Sequence, residues 1–319
     1  MTALWTFLLP PLMILPIVLL FRFVGCALIY DFDDFDTSRD RVPDYRDYIL
    51  GRRTEGSVRH PEVAPNGNDA IGYWRLIDAS DSQKAADEKG SYEGIYRTSS
   101  DSDVTPGNLD TGQPSLLDSA PQLHPRFFNG GLVAIPDAGG LYTDKFTIEA
   151  WIDPEFGKGE EHTLFHAGGQ YLRPGDLDTG KHGFRVYATK AREWQVDLEF
   201  HGSVFPKPPL IPVGSARTHL AVIVQGGSTP GTTTVTIVMD GRNPLERTVN
   251  GSYSKPDSAP LVIGVKNEEI DPRNLLTSPA PNLSGPIRST LQEVVLHSKA
   301  LSLNEIDNHI SINRAPRRA

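Results

Sequence analysis

The sequence predicts an all-β sandwich of two antiparallel sheets over residues 70–312. Short apolar runs recur along this stretch, and within them apolar and polar residues alternate with the period of two that is typical of half-buried strands. The 29 glycines and 26 prolines fall between the runs without forming a repeat, as expected for many strands joined by tight turns. A helical period is almost absent, so the fold class is all-β.

The N-terminal residues 1–30 predict a membrane anchor or signal-anchor helix. No charged side chain precedes Arg22, and an apolar stretch of about 20 residues matches the bilayer core if it is helical. We therefore expect membrane contact through residues 4–30, with the domain outside the cell or at its surface. Two other interpretations stay open, because the segment ending in Cys26 is similar to a lipoprotein lipobox and could also be a cleaved signal peptide. Arg22 alone does not fix the membrane orientation.

Three other segments are predicted to lie outside the strand pattern. Residues 31–69 are polar and rich in Asp, Arg and Pro, which indicates a linker because such a segment buries too little apolar surface to fold alone. Residues 98–125 form a long loop insertion rich in Ser, Asp, Gly and Pro, and residues 313–319 form a basic tail.

The strand pattern is clearest in two places. In residues 146–152 one face carries Phe146, Ile148, Ala150 and Ile152, and the other carries Thr147, Glu149 and Trp151. Residues 232–239 alternate in the same way, reach Asp240-Gly241, and are followed by a second alternating run. An Asp-Gly pair between two such runs predicts a hairpin.

A short helix is predicted at the C-terminal end of the domain. Ser302 and Glu305 have the spacing of a capping box, in which each side chain accepts a hydrogen bond from the other residue's backbone N–H. Ile306 and Ile310 follow on one helical face. The sandwich is therefore expected to end in one amphipathic helix.

Several sequence blocks, taken in order, resemble the laminin-G-like, concanavalin A-like jelly rolls. The resemblance covers about 240 residues, which makes the order of the blocks specific. There are departures, since Arg217 stands where the family usually has Trp and Gln292 where it usually has Asp. The blocks are IGYWRL (71–76), FNGG (128–131), FTIEAWI (146–152), RTHLAV (217–222), VMDG (238–241), LVIG (261–264) and the closing stretch 291–306.

The resemblance implies a surface-displayed recognition module. Such a domain would bind carbohydrate or an extracellular protein through its rim or its concave sheet. The alternative is a structural or assembly subunit that self-associates. Calcium is implied in some family members, and Asp176 and Asp178 lie in the most acidic loop and offer the oxygen ligands that calcium prefers. Asp137 and Asp153 are weaker candidates, and Trp74, Trp151 and Trp194 are candidates for sugar stacking.

Residues 194–200 resemble the catalytic strand of bacterial β-glucanases, in which three acids alternate along one face. Here Gln195, Asp197 and Glu199 fall on one face. A retaining glycosidase needs two carboxylates, one as nucleophile and one as acid. The position that matches the nucleophile is the amide Gln195, so we predict that the chain is not an enzyme and assign no catalytic residue. A glycoside hydrolase remains a second alternative.

The net charge and the histidine spacing argue against two classes of function, nucleic-acid binding and metalloprotease activity. The net charge of −9 argues against nonspecific nucleic-acid binding, which requires a basic face. The nine histidines show no metalloprotease spacing. His162 and His166 are four residues apart and would share a strand face, but the sequence indicates no further zinc ligand for them.

Overall fold

The computed structural model describes residues 46, 49–50, 69–79, 82–98, 109–110, 113, 115–117, 123–137, 139–170, 181–198, 202–205, 211–256, 258–269, 271–278 and 281–314. All of them belong to a contact unit made of residues 43–53 and 62–319. A second unit, residues 1–42 with 54–61, lies outside the described residues.

Within the described ranges, the strands form two large antiparallel sheets and a small third one. Sheet A has eight strands and sheet B has nine. The strands are β1 Ala70–Trp74, β2 Lys84–Ala85, β3 Gly94–Thr98, β4 Leu109–Asp110, β5 Arg126–Asn129, β6 Gly131–Ile135, β7 Phe146–Pro154, β8 His162–Gln170, β9 Lys181–Ala188, β10 Glu193–Leu198, β11 Gly202–Ser203, β12 Ile211–Pro212, β13 Thr218–Gly226, β14 Thr232–Met239, β15 Arg242–Asn250, β16 Leu261–Ile263, β17 Lys266–Asn267, β18 Leu283–Ser284 and β19 Arg288–His297.

The strand order brings together distant parts of the sequence. Sheet A runs β15-β14-β13-β7-β19-β5-β4, and β1 pairs with the second half of β19 beside β5. Sheet B runs β11-β10-β9-β8-β16-β6-β3-β2, with β12 also paired to β10. The short strands β17 and β18 pair with each other. The centre of sheet A is therefore formed by β13, β7 and β19.

The main core lies between the two sheets. It follows from the alternation along the strands, since most of the long strands have one apolar face. Phe146 of β7 meets Phe184 of β9 with ring centroids 4.5 Å apart. Trp74 and Trp194 are fully buried in the same core. Burial of this apolar area is the largest favourable contribution to the stability of the sandwich.

The predicted hairpin joins β14 and β15. Asp240 and Gly241 both have positive φ, 51° and 68°, as a type I′ turn requires. The Asp240 carboxylate also accepts hydrogen bonds from Thr218 Oγ1 at 2.8 Å and from the His219 backbone N–H at 3.1 Å. The turn is therefore fastened to the start of β13.

The outer face of sheet A is covered by the C-terminal helix α1, Leu303–Arg314. Its capping box forms as predicted, because Ser302 Oγ accepts from the Glu305 N–H at 3.3 Å and Glu305 Oε2 accepts from the Ser302 N–H at 2.7 Å. Ile306 and Ile310 are buried in an apolar cluster with Trp151 and other residues of the sheet.

Part of the 98–125 insertion packs in the same apolar cluster as helix α1. Leu116 and Leu117 are buried in the α1 cluster. Gln292, which departs from the family pattern, is fully buried, and its Oε1 accepts a hydrogen bond from the Leu116 N–H at 2.9 Å. The amide at this position thus anchors the insertion to β19.

The outer face of sheet B is only partly covered by apolar packing. A 3-10 helix, Pro272–Leu276, follows β17 and places Leu275 against Leu132 and Val262 of the sheet. Arg97 of β3 fastens this helix by donating hydrogen bonds to the carbonyls of Leu275 and Ser278. The other half of this face, over β8, β9 and β10, carries polar side chains.

The structure confirms a mostly β fold with two antiparallel sheets and one short C-terminal helix. It gives no support to the predicted N-terminal helix, since residues 1–30 lie outside the described residues. None of the helices in the described ranges has the length and apolar content needed to cross a membrane. The predicted limits of the linker, domain and tail stay predictions.

Candidate functional site

The residues proposed for calcium are not brought together by the described structure. Asp176 and Asp178 lie outside the described residues. Asp137 acts as a turn residue, because its Oδ1 accepts hydrogen bonds from the N–H groups of Gly139 at 2.9 Å and Leu141 at 3.3 Å. Asp153 lies in β7, opposite Thr290 of β19. The calcium site therefore stays a prediction.

The three tryptophans considered for sugar stacking are all in the interior. Trp74 and Trp194 have no exposed surface and Trp151 has 2%. Trp194 packs edge-on against Phe156, with centroids 6.4 Å apart. Trp151 lies under α1 with its ring 5.3 Å from that of His219. Stacking of a sugar on these rings is excluded by their burial.

His162 and His166 lie on opposite faces of β8, contrary to the prediction. The strand has a register shift between Thr163 and Phe165, so one extra residue separates the two histidines. His162 is paired with Ala188 and its ring stacks on Phe156 at 4.4 Å. A bulge of this kind cannot be read from the spacing of the histidines alone.

The face predicted for β10 is confirmed for the residues that the structure describes. Trp194, Val196 and Leu198 enter the core, so Gln195 and Asp197 share the outer face. Gln195 is 4% exposed and acts as a backbone partner. Its Nε2 donates to the Phe205 carbonyl at 2.8 Å and its Oε1 accepts from the Phe205 N–H at 3.0 Å. The side chain of Glu199 lies outside the described residues.

Five side chains form a continuous polar row on the outer face of β8, β9 and β10, here named the β8–β10 polar face: Glu161, Thr163, Arg185, Tyr187 and Asp197. Arg185 donates to Thr163 Oγ1 at 2.9 Å and to Glu161 Oε2 at 3.1 Å. Its guanidinium carbon lies 4.0 Å from the centroid of the Tyr187 ring. The Tyr187 hydroxyl donates to Asp197 Oδ1 at 3.2 Å. The two carboxylates thus lie at the ends of a row that fixes them.

Burial divides this row into supporting and accessible groups. Arg185 and Tyr187 are 6% and 7% exposed, whereas the Glu161 side chain is 41% exposed and Asp197 is partly exposed. Burial raises the pKa of the Tyr187 hydroxyl, and the Asp197 charge raises it further, while Arg185 opposes the shift. The phenol therefore stays protonated and can donate to Asp197. The accessible groups are acceptors that the buried groups hold in place.

A second group of ionisable side chains lies on the outer face of sheet A, beneath α1. It consists of Glu149, His219, His297 and His309, here named the Glu149 cluster. Glu149 Oε1 lies 2.8 Å from His297 Nε2 and 2.6 Å from His309 Nδ1, and its Oε2 lies 3.1 Å from His219 Nε2. Glu149 and His219 have no exposed side-chain surface. The cluster is therefore sealed from solvent.

The strand register explains how the cluster forms. Glu149 of β7 stands opposite Ala221 of β13 and Val295 of β19. His219 and His297 are two residues along those partner strands, so they are diagonal neighbours of Glu149 on the same face. His309 completes the group from α1. The sequence signal was an ionisable residue, Glu149, in the middle of a central strand, but the pairing that brings three histidines to it is not visible in the sequence.

The cluster keeps its carboxylate ionised despite burial. Desolvation alone would raise the pKa of Glu149, but the charge of His309 and the three imidazole groups around the carboxylate hold it well below its usual range. Burial lowers the pKa of His297, although the nearby carboxylate opposes this shift. A carboxylate surrounded by imidazole nitrogens is a set of groups that can bind a metal ion.

Glu293 is another fully buried carboxylate of sheet A, with a different set of partners. It lies at the bulge of β19 with φ of 56°. Its Oε1 accepts from Arg75 Nε at 3.2 Å and its Oε2 accepts from the Tyr73 hydroxyl. Burial raises the pKa of Glu293, while Arg75 and Tyr73 oppose the shift.

With this geometry established, comparison with known proteins identifies the family. The profile described as the Concanavalin A-like lectin/glucanases superfamily, of the Laminin_G_3 type, matches residues 128–307. This match covers more than half of the 319 residues. The chain therefore belongs to this superfamily, as its sequence blocks indicated. A search among curated protein sequences gave no match.

The solved structures that this chain is similar to include a sialidase, an arabinanase domain and a neurotoxin domain. A Trypanosoma rangeli sialidase in complex with sialic acid is 17% identical over 78% of this chain, with a TM-score of 0.48. Domain 4 of AbnA, a GH43 extracellular arabinanase from Geobacillus stearothermophilus in complex with arabinotriose, is 14% identical over 76% of this chain, with a TM-score of 0.45. The botulinum neurotoxin type G receptor binding domain is 10% identical over 76% of this chain, with a TM-score of 0.45.

The chain covers very different shares of the three matched proteins. This chain spans 34% of the sialidase, 98% of the arabinanase domain and 51% of the neurotoxin domain. The prediction that the chain is not an enzyme is contradicted, because glycoside hydrolases are among its structural matches. At this level of identity and structural similarity, the matches assign neither a reaction nor catalytic residues to this chain.

Proposed function

We propose that this protein recognises carbohydrate through the β8–β10 polar face. The observation that carries the proposal is the linked row from Glu161 through Arg185 and Tyr187 to Asp197, on the outer face of sheet B, in a chain from a superfamily of lectins and glucanases. A sugar hydroxyl can donate a hydrogen bond to a carboxylate, and such a bond is strong because its acceptor is charged. Asp197 and Glu161 are the accessible acceptors.

The buried members of the row act as positioning residues. Arg185 is held by Thr163 and Glu161 and stacks on Tyr187, so the row has few rotamers to lose when a ligand binds. Tyr187 in turn orients Asp197 through its hydroxyl. A site that is ordered before binding favours polar ligands of low affinity, such as sugars, because little free energy is lost in ordering its side chains.

A glycan array probed with the full chain in detergent tests this proposal. We expect the wild type to bind a defined set of glycans and D197N to lose at least about tenfold in affinity, as expected for a hydrogen bond to a charged group. The matched control is E246Q, which changes an exposed glutamate on β15 of the other sheet and should bind as the wild type does. Absence of any glycan binding, or equal binding by D197N, would overturn the proposal.

Two accompanying measurements extend the test. Release of reducing sugar from each bound glycan shows whether recognition is coupled to hydrolysis. Repeating the array in calcium-depleted buffer tests the calcium site proposed at Asp176 and Asp178, for which we expect weaker glycan binding without calcium. Calcium-independent binding would remove calcium from the proposal and leave the β8–β10 polar face in it.

We further propose that residues 1–30 tether the domain to a membrane with its sugar-binding face outside the cell. The support is the apolar sequence before Arg22, which is long enough to span a bilayer as a helix. Protease added to intact cells should remove the domain while the N-terminal segment stays in the membrane fraction. Resistance to external protease, or recovery of the whole chain in the soluble fraction, would contradict the tether.

A further inference from the structure

The Glu149 cluster contains polar atoms that the protein itself does not satisfy. Glu149 Oε2 and both ring nitrogens of His219 are buried without a hydrogen-bond partner, although Oε2 and Nε2 lie 3.1 Å apart. A buried polar group left in this state destabilises the folded protein. His219 has no exposed side-chain surface, and its Nε2 lies beside the carboxylate without the geometry of a hydrogen bond. Nitrogen and oxygen atoms of the cluster therefore lack a hydrogen-bond partner within the protein and are available to bind a metal ion.

The donor set has the composition of a transition-metal site. One carboxylate oxygen of Glu149 lies near imidazole nitrogens from His297 and His309, and the ligand atoms of these three residues lie within 4.8 Å of one another. His219 adds a third imidazole on the other carboxylate oxygen. Imidazole suits zinc, copper, iron and nickel, whereas calcium and magnesium prefer oxygen ligands. Glu149, His297 and His309 already have the spacing of a metal site, whereas His219 lies outside that spacing and would have to move toward them to complete the four-ligand set of a structural zinc site.

Two of the carboxylate–imidazole distances need only a small change on metal binding, whereas His219 must move further. Ligands placed tetrahedrally at zinc bond lengths are separated by about 3.3 Å. The shortest carboxylate–imidazole distances in the cluster are 2.6 Å and 2.8 Å, so these pairs must open by less than 1 Å. The imidazole protons now directed at Glu149 would be displaced by the metal, since only the free nitrogen lone pair is a ligand.

We infer that Glu149, His219, His297 and His309 bind one zinc ion that fastens helix α1 to the three central strands of sheet A. Each strand contributes a ligand, Glu149 from β7, His219 from β13 and His297 from β19. The fourth ligand, His309, comes from α1. A metal at this point joins segments that are distant in sequence, so it stabilises the folded state over the unfolded chain.

Metal analysis of the full chain, purified in detergent from zinc-supplemented medium, tests this inference. We expect about one zinc per chain in the wild type and less than about 0.2 in E149Q and H309Q, because each loses a ligand. E293Q is the matched control, since Glu293 is a fully buried glutamate of the same sheet with no histidine partner. H182A is a second control, since His182 contacts Ser254 outside the cluster at 2.6 Å. Both controls should retain zinc.

Two further readouts separate a built site from incidental zinc. Zinc added to the chelated wild type should raise the midpoint of thermal unfolding by about 5 °C or more and leave that of E149Q unchanged. Replacement by Co²⁺ should give the visible absorption of tetrahedral cobalt in the wild type and in E293Q. Equal zinc content in wild type and E149Q, or a reconstituted wild type with neither a thermal shift nor a cobalt spectrum, would overturn the inference.

Discussion

The outer faces of the two sheets carry similar ionisable groups and bury them to different extents. On sheet A the Glu149 cluster is sealed beneath α1, and its carboxylate is surrounded by imidazoles. On sheet B the β8–β10 polar face leaves Glu161 and Asp197 accessible, while Arg185 and Tyr187 are buried. A covered polar group mainly affects stability, since it loses its partners when the chain unfolds, whereas an accessible one is free to meet a ligand.

The largest expected effect on stability comes from breaking the sealed cluster. Glu149→Ala removes the carboxylate that three histidines surround, so the free energy of unfolding should fall by about 3 kcal/mol or more. Glu246→Ala is the control, because this exposed glutamate lies on the same sheet and should change stability by less than about 0.5 kcal/mol. Urea unfolding of both variants checks the difference. Similar small losses for both would mean that the cluster does not support the fold.

The second-largest loss of stability is expected from the apolar contact between helix α1 and sheet A. Ile306→Ala removes a fully buried side chain from the contact with sheet A and should cost about 2–3 kcal/mol. Leu303→Ala on the same helix changes a side chain that is 39% exposed and should cost under about 1 kcal/mol. Thermal or urea unfolding ranks the two. A reversed ranking would show that the packing face of α1 is misassigned.

A smaller effect that depends on pH is expected at the start of α1. Burial alone would raise the pKa of Glu305, but Lys299 and the Ser302 hydrogen bonds lower it to about 2. Because the pKa is lowered on folding, this carboxylate stabilises the fold above about pH 4.5, and the contribution is lost as the pH falls through 2. Glu305→Gln should therefore cost about 1 kcal/mol at pH 7 and much less near pH 2. A pH-independent difference in urea unfolding would contradict the ionised capping box.

The smallest effect on stability is expected at an accessible residue on the outer face of sheet B. Asp197→Asn keeps the shape of a partly exposed side chain, so the free energy of unfolding should change by less than about 0.5 kcal/mol while glycan affinity falls. Circular dichroism melts and binding measured on one preparation separate the two quantities. A large loss of stability would place Asp197 among the supporting groups instead of the contact groups.

The sequence predicted those features that local patterns encode. The alternation in residues 146–152, the Asp240-Gly241 hairpin and the Ser302–Glu305 capping box all depend on neighbours in the chain, and the structure forms each of them. The family blocks gave the sandwich class, since their order reflects the whole domain. Local chemistry and block order were therefore enough for the fold class and the closing helix.

The features that were missed depend on pairing between distant strands. The β8 bulge separates His162 from His166, and the ladders from β7 to β13 and β19 bring His219 and His297 to Glu149. Neither arrangement follows from spacing along one strand. The buried role of Gln195 also depends on a partner, Phe205, that lies on a different segment. Register between strands is thus the information that the sequence patterns lacked.

The proposal that the outer face of sheet B contacts carbohydrate, while the covered face of sheet A supports the fold, is tested most directly by a crystal structure with the strongest-binding glycan from the array. We expect sugar hydroxyls within hydrogen-bond distance of the Asp197 and Glu161 carboxylates. A sugar bound at the rim loops or on sheet A, with the β8–β10 polar face free of ligand, would contradict it.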